Sequence, residues 1–149
     1  MRSVARYQFD LAGPDDDAAL RCLMAQTPMD GSVSLTFHRE PGYFDANCVL
    51  GRDCQTIVCR DTLRNEIVGL GTRSVRDLWI NGRIKRIGYL SSLRSAPHAR
   101  SQGLLARGYR FLRELHESDP VAPDFYLTTI AEKNRIAIDQ LTSRRAGLP

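Results

Sequence analysis

Apolar residues recur along this chain with two periods, one typical of strands and one typical of helices. Tyr7–Leu11 alternates and predicts a first strand. Pro14, followed by three aspartates, is typical of a first helical turn, because proline fits there and acids favour the positive end of the helix dipole. We expect that helix to run to about Gln26. Pro41 then opens a second short helix, which Gly51 ends.

The middle of the chain is rich in strand-like segments. Residues 32–37 alternate and predict an extended segment, and three strands are predicted at residues 55–60, 66–80 and 83–94. Asn81 and Gly82 separate the last two strands. Both residues tolerate a positive φ, so the pair predicts a β-hairpin. Gly69 and Gly71 interrupt the longest segment, which is typical of a β-bulge.

The last third of the chain returns to helical spacing. A long helix is predicted after Gly103, and its buried side carries Leu104, Leu105, Gly108, Phe111, Leu112 and Leu115. Residues 125–130 predict another strand, and a final helix begins near Asn134. The predicted order of elements is therefore β-α-α-β-β-β-α-β-α.

Composition narrows the classes of protein. A chain of 149 residues with 42% hydrophobic and 26% charged residues predicts one soluble globular domain over residues 1–149. No apolar run is long enough to cross a membrane, and the first ten residues lack the apolar core of a signal peptide, so we expect a cytoplasmic protein. The four cysteines form no C-x-x-C pair, which argues against a zinc site and favours reduced thiols.

The junction between the predicted strand at 83–94 and the long helix holds the most informative motif. Arg100 and Gly103 stand there in an R-x-x-G spacing. A glycine turn at a helix N-terminus presents several unpaired N–H groups, and the helix dipole adds positive charge. That arrangement predicts a phosphate site with Arg100 as its cation. The alternative is that Gly103 only relaxes the turn and Arg100 is a solvated surface residue.

The order of elements and this motif together resemble the GNAT superfamily of N-acyltransferases. Residues 100–105 read R-S-Q-G-L-L and are similar to the family's acyl-CoA motif, Q/R-x-x-G-x-G/A. The preceding segment 93–97, L-R-S-A-P, is similar to the apolar pair and proline that precede the motif. Asn134 and Ala137 match the family's N-x-x-A helix start. The resemblance covers nearly the whole chain.

The resemblance implies an α+β fold of three layers, with a mixed, mostly antiparallel sheet between helices. It implies transfer of an acetyl group from acetyl-CoA, without a metal, to the amine of a small molecule or peptide that attacks directly, with strand N–H groups stabilising the oxyanion. We expect no membrane or nucleic-acid partner. The implied donor-binding residues are Leu93, Arg94 and Ser95 for the pantetheine, Arg100, Ser101, Gln102, Gly103, Leu104 and Leu105 for the pyrophosphate, and Asn134 from the facing helix.

The catalytic groups are less well marked. Relatives commonly use a carboxylate on the strand before the motif, but residues 86–94 contain none. The remaining candidates are Tyr89, Ser92 and Tyr126, with carboxylates from elsewhere at Glu40, Asp45 and Asp77. Tyr89 and Tyr126 are better explained as packing residues with a hydrogen-bonded hydroxyl. The acceptor site is expected beside residues 27–44, whose aromatic residues either line a slot or anchor the connection to the core.

Two departures from the family pattern leave alternatives open. Leu105 replaces the usual final glycine or alanine and either narrows the space for the pyrophosphate or points into the core. The family fold also continues with two strands after the last helix. The chain is then a fragment, a shortened protein, or part of a homodimer that completes the sheet.

A non-catalytic acyl-CoA-binding or regulatory module is the alternative function. Nucleic-acid binding is a third class, but the basic residues of 83–94 lack an aromatic stacking platform.

Overall fold

The computed structural model describes residues 5–29, 34–100 and 102–142. Its centre is a five-stranded sheet whose strands follow one another in chain order. The strands are β1 (Tyr7–Leu11), β2 (Asp53–Asp61), β3 (Glu66–Ile80), β4 (Arg83–Ser95) and β5 (Tyr126–Thr128). β1 to β4 pair antiparallel, and β5 alone runs parallel to its neighbour, β4. The sheet is therefore mixed and mostly antiparallel, as predicted.

Helices cover both faces of the sheet. They are α1 (Asp17–Gln26), α2 (Asn47–Leu50), α3 (Leu104–Ser118) and α4 (Arg135–Thr142). Short 3₁₀ turns, Pro14–Asp16 and Tyr43–Ala46, lead into α1 and α2. α1 packs against β3 and β4, whereas α3 packs against β1 and β2. We call the two sides of the sheet the α1 face and the α3 face. The element order and the three layers confirm the prediction.

The core forms where the apolar side of α1 meets the sheet. Leu20, Leu23 and Met24 of α1 are buried against Val58 and Leu70. These α1 residues recur at a spacing of three and four, which places them on one side of a helix. The predicted hairpin is also present, since Asn81 and Gly82 have φ values of 50° and 74° between the paired residues Ile80 and Arg83.

Two expectations differ from the structure. Residues 34–37 form no strand, and Leu35 makes only an isolated bridge to Met29. Residues 32 and 33, and the last seven residues, 143–149, lie outside the described residues. β5 is shorter than predicted because its pairing ends at Thr128. None of the described helices combines the length and apolar character needed to span a bilayer.

Candidate active site

A bulge lies where β4 passes Gly71 of β3. Ser91 pairs with Thr72 and Arg94 pairs with Leu70, so Ser92 and Leu93 together oppose the single residue Gly71. Ser92 has φ 56°, a left-handed conformation that a non-glycine residue adopts at a cost of about 1–3 kcal/mol. Bulges are therefore present at both expected glycines. One lies beside Gly69, where Val68 of β3 is the additional residue opposite β2. The other lies at Gly71, has its additional residue in β4, and is the one we call the bulge.

β4 and β5 separate directly beside this bulge. Their pairing runs from Gly88 and Tyr126 to Leu90 and Thr128, and ends there. β4 continues to Ser95 without a β5 partner. Ala96 N donates to Val68 O of β3 at 2.8 Å. Because backbone groups alternate along a strand, those of Leu93 and Ser95 turn away from β3, toward the gap between the separating strands.

The turn before α3 presents backbone N–H groups. Gly103 is the N-terminal cap of α3 with φ 65°, and the first bond of the helix runs from Arg107 N to Gly103 O at 3.4 Å. Within the described residues, no acceptor receives the amides of residues 102–106. A Cβ at Gly103 would meet nothing within 4 Å. As far as the described residues show, the turn has donors without an acceptor and the open space that an anion requires.

The other residues assigned to this turn have different environments. Arg100 and Gln102 are exposed, and Ser101 lies outside the described residues. Leu104 packs against the core, whereas Leu105 is half-buried. Nearby, His98 Nε2 and Glu66 Oε1 are 3.0 Å apart.

Asn134 caps α4. Its side-chain Oδ1 accepts a hydrogen bond from Ala137 N at 3.2 Å, and its backbone O accepts one from Ile138 N at 3.0 Å. Asparagine is among the preferred N-cap residues. The N-x-x-A pattern therefore has a structural role in starting the helix, and the contact of Asn134 with the donor stays a prediction.

Tyr126 lies on the α3 face within a polar network. Its hydroxyl accepts a hydrogen bond from Arg73 Nε at 2.8 Å and lies 3.2 Å from His116 Nδ1. Arg73, only 3% exposed, also donates to Asp119 Oδ2 at 2.6 Å. This hydrogen bond holds the pKa of the Asp119 carboxyl below its usual range. The ring of Tyr126 covers Gly88, where a Cβ would approach it to 2.2 Å.

Tyr89 and Ser92 have different surroundings from Tyr126. Tyr89 pairs with Ser74 of β3, which places both side chains on the α1 face, and the Tyr89 hydroxyl donates to Thr129 Oγ1 at 3.0 Å. Ser92 Oγ accepts a hydrogen bond from Arg39 Nη2 at 3.3 Å. The three catalytic candidates therefore form no contiguous group, because Tyr126 lies across the sheet.

The three carboxylates considered as candidate bases are those of Glu40, Asp45 and Asp77. Both oxygens of Glu40 accept hydrogen bonds from Arg21 Nη1, at 2.9 and 2.7 Å. Asp77 lies in the distal arm of the β3–β4 hairpin, paired in register with Arg86, and its carboxylate is 3.7 Å from Arg52. Asp45 is exposed beside Gly42. Within the described part of the chain, none of the three has a hydrogen bond or ion pair to a residue of the bulge.

The segment before α2 covers the α1 face near the bulge. Tyr43 is 1% exposed, and its hydroxyl lies 3.3 Å from Thr72 Oγ1. The Arg39 guanidinium lies 5.4 Å from the Tyr43 ring centroid, and the Arg94 guanidinium lies 5.9 Å from that of Phe37. Burial lowers the pKa of Arg94 from its usual value. The sequence predicted a role only for the backbone of Arg94, in binding the donor. The position of its side chain beside Phe37 was not predicted.

Two cavities lie elsewhere on the sheet. One, of about 160 Å³, is lined by residues of β3, β4 and β5 that include Gly88, Leu127 and the catalytic candidate Tyr89. The other, of about 370 Å³, lies between the end of β1 and α2, beside Pro14 and Phe44. Neither includes a residue of the Gly103 turn or of the bulge. The described residues also contain no group of three His, Cys, Asp or Glu side chains arranged to hold a metal ion.

Comparison with known proteins identifies the fold. No family model and no curated protein matches the sequence. The glucosamine-6-phosphate N-acetyltransferase of Arabidopsis thaliana is similar in structure, with a TM-score of 0.66 at 12% identity, over 93% of this chain and 92% of that chain. The aminoglycoside 6'-N-acetyltransferase AAC(6')-Ih of Acinetobacter baumannii has a TM-score of 0.65 at 14% identity, over 91% and 88%.

A third structure was solved with a donor analogue. AAC(6')-Iy, in complex with the bisubstrate analogue CoA-S-monomethyl-acetylneamine, has a TM-score of 0.64 at 12% identity, over 97% of this chain and 92% of that chain. These structures share the arrangement of a mixed sheet between helices. The chain therefore has the fold of the GNAT N-acetyltransferases, which confirms the predicted fold class.

Proposed function

We propose that this protein is an N-acyltransferase of the GNAT superfamily, which transfers an acetyl group from acetyl-CoA to an amine. The observation that carries the proposal is the Gly103 turn. Its N–H groups have no acceptor within the described residues, and it follows, after the 3₁₀ turn Pro97–Ala99, a strand that separates from its neighbour. In a chain with this fold, the two features together fit a donor with a diphosphate at one end of an extended arm.

Each part of the donor has a candidate surface. The diphosphate would accept hydrogen bonds from the amides of residues 101–105, beside the guanidinium of Arg100. These charge-assisted bonds are stronger than neutral ones. The pantetheine would pair with the backbone groups of Leu93 and Ser95 along the gap beside β5, whereas those of Arg94, the third residue expected here, face Leu70 of β3. The half-buried Leu105 would border the diphosphate, and Asn134 would approach the donor from α4.

The transfer needs few side chains. The acceptor amine attacks the thioester carbonyl, the new N–C bond replaces the C–S bond, and the CoA sulfur leaves. The amine must reach the site unprotonated, and it loses one proton as the amide forms. The backbone N–H groups of Ser92 and Leu93 at the bulge are the candidates to stabilise the negative charge on the carbonyl oxygen. Tyr89 and Ser92, on the α1 face, remain the candidates for positioning a water molecule that accepts the proton lost by the amine.

One observation favours a second candidate function, a non-catalytic acyl-CoA-binding module. The carboxylate of Glu40 is hydrogen-bonded by Arg21, and that of Asp77 lies beside Arg52. Neither of these candidate bases contacts a residue of the bulge in the part of the chain that the structure describes. A protein that binds the donor without turnover would need the Gly103 turn and the gap beside β5, but no base.

Two measurements test the proposal. Coenzyme A should raise the melting temperature, because a ligand that binds only the folded state stabilises it. An unchanged melt at saturating coenzyme A would reject both candidate functions. Release of the free CoA thiol from acetyl-CoA in the presence of a panel of small-molecule and peptide amines then identifies an enzyme. Stabilisation by coenzyme A without amine-dependent thiol release would favour the binding module. We expect this activity in the cytoplasm.

A further inference from the structure

Two arginines, Arg39 and Arg94, border the α1 face beside the bulge. We call them the arginine pair. Arg39 donates to Ser92 Oγ at 3.3 Å, and its guanidinium lies 5.4 Å from the Tyr43 ring. Arg94 is two residues beyond Ser92, and its guanidinium faces Phe37 at 5.9 Å. Phe37, Arg39 and Tyr43 belong to one covering segment, so both cations border the same small area.

The arginine pair has no carboxylate partner within the described residues. The nearby acids are already engaged. Arg21 bonds Asp17 at 2.7 Å and Glu40 at 2.7 Å. Asp17 also accepts a hydrogen bond from Tyr43 N at 2.6 Å. Arg39 and Arg94 occur in none of the ion pairs found there, so neither of their positive charges is neutralised by a direct carboxylate contact within the described residues.

Buried polar atoms in the same area lack partners. Arg94 Nε and Ser91 Oγ are both inaccessible to solvent and make no hydrogen bond within the described residues. The one hydrogen bond found for the Arg94 guanidinium is from Nη1 to the neighbouring carbonyl of Leu93, at 2.8 Å. A buried donor without an acceptor is costly and is rare in native proteins. A bound anion that accepts hydrogen bonds from the Nη groups would neutralise the charge of this half-buried side chain.

We infer that the acceptor amine carries an anionic group, a phosphate or a carboxylate, and that the arginine pair binds this group beside Ser92. The inference rests on the proposed function and names the substrate class of that site. The diphosphate of the donor has its own candidate surface at the Gly103 turn, before α3. A polycationic amine of the aminoglycoside kind would meet repulsion at the arginine pair, so it fits this surface poorly.

The test uses acceptors matched in all but charge. Glucosamine 6-phosphate is compared with glucosamine, and β-alanine with its amide, while spermidine represents cationic amines. CoA thiol release gives kcat/KM for each. We expect the anionic member of one pair to exceed its neutral partner roughly ten- to a hundredfold. The pair that shows the difference identifies the anion as phosphate or carboxylate. Equal values within both pairs, or a preference for spermidine, overturn the inference and leave the proposed function intact.

Variants test whether the arginine pair causes the preference for anionic acceptors. Arg39→Gln and Arg94→Gln should abolish the preference for the anionic acceptor, and Arg39→Lys should restore part of it. The KM for acetyl-CoA should not change in Arg39→Gln. Arg83→Gln, at the exposed start of the same strand, is the control and should behave as wild type. A rise in the KM for acetyl-CoA in Arg39→Gln would overturn the inference, because it would assign Arg39 to the donor. If Arg94→Gln does not fold, Arg39→Gln decides alone.

A binding measurement covers the case in which no amine in the panel is acetylated. With coenzyme A saturating the donor site, inorganic phosphate or acetate should raise the melting temperature of the wild type more than that of Arg39→Gln. Equal shifts overturn the inference. Absence of any stabilisation by coenzyme A itself would reject the proposed function, and the anion titration without coenzyme A would still test the arginine pair.

Discussion

Replacing Gly103 with alanine tests the proposed diphosphate site, and Gly82→Ala is its matched control. Both glycines have positive φ values, 65° and 74°, and a Cβ at either position would meet nothing within 4 Å. The left-handed conformation costs an alanine roughly 1–2 kcal/mol. Alanine also reduces the entropy of the unfolded chain, which partly offsets that cost. Because these terms are shared, both variants should lose similar stability.

The melting temperature should fall by about 2–4 °C for each kcal/mol lost in a chain of this length. Only Gly103 lies in the turn where the donor's phosphates are expected. A methyl group there would hold the diphosphate away from the backbone N–H groups. We expect coenzyme A to bind at least about tenfold more weakly to Gly103→Ala. At about 100 times the wild-type Kd, its stabilisation should then fall from about 2.7 to about 1.4 kcal/mol.

The assay is thermal unfolding of the three proteins across a coenzyme A titration. Gly82→Ala should melt lower than the wild type but show the full stabilisation by coenzyme A. Gly103→Ala should melt lower and lose about half of that stabilisation. If the two variants respond equally to coenzyme A, the Gly103 turn does not hold the phosphates, and the reasoning from its N–H groups is wrong.

Three further predictions concern the scaffold. Gly88→Ala should cost roughly 1–3 kcal/mol in thermal unfolding, because its Cβ would approach the Tyr126 ring to 2.2 Å, whereas at Gly71 the nearest atom is 3.7 Å away and alanine should have little effect. The pKa of Asp119 is lowered in the folded state, so the stability this group adds is present above its unfolded pKa, near 4, and is lost as pH falls through the folded value. Asp119→Asn should therefore melt below the wild type at about pH 7, and the gap should close toward about pH 2; a constant gap would contradict this. A homodimer that completes the sheet predicts twice the chain mass in light scattering, and a monomer mass would exclude it.

Local sequence signals predicted most elements because each has a short-range cause. The Asn81-Gly82 hairpin depends on two residues that tolerate positive φ, and both adopt it. The start of α4 depends on Asn134, whose side chain accepts the Ala137 amide. Residues 34–37 show where such signals fail. Their alternation resembles a strand, but the only pairing found for them is the bridge at Leu35, and Phe37 instead lies against Arg94.

The candidate catalytic residues were harder to group, since their positions depend on which face of the sheet each side chain occupies. Tyr89 and Tyr126 are in neighbouring strands and both have a hydroxyl, but their registers place them on opposite faces. The partners of Tyr126 confirm this, because Arg73 and Asp119 belong to the α3 face. Register is set by pairing between distant segments, which no local pattern reports.

The bulge at Ser92 explains why the acceptor surface could not be predicted from alternation. In an unbroken strand, side chains alternate, so Ser91, Leu93 and Ser95 would share one face and Arg94 would lie on the other. The additional residue in β4 reverses this order. Arg94 pairs with Leu70, on the same face as Ser91 and Thr72, while the Leu93 side chain lies near Gly71. One residue thus brings the Arg94 guanidinium to the α1 face and turns the backbone of Leu93 and Ser95 toward the gap beside β5. Because both features depend on it, deletion of Ser92 should weaken coenzyme A binding and abolish any preference for anionic acceptors together. Loss of only one of these properties would show that the bulge does not couple them.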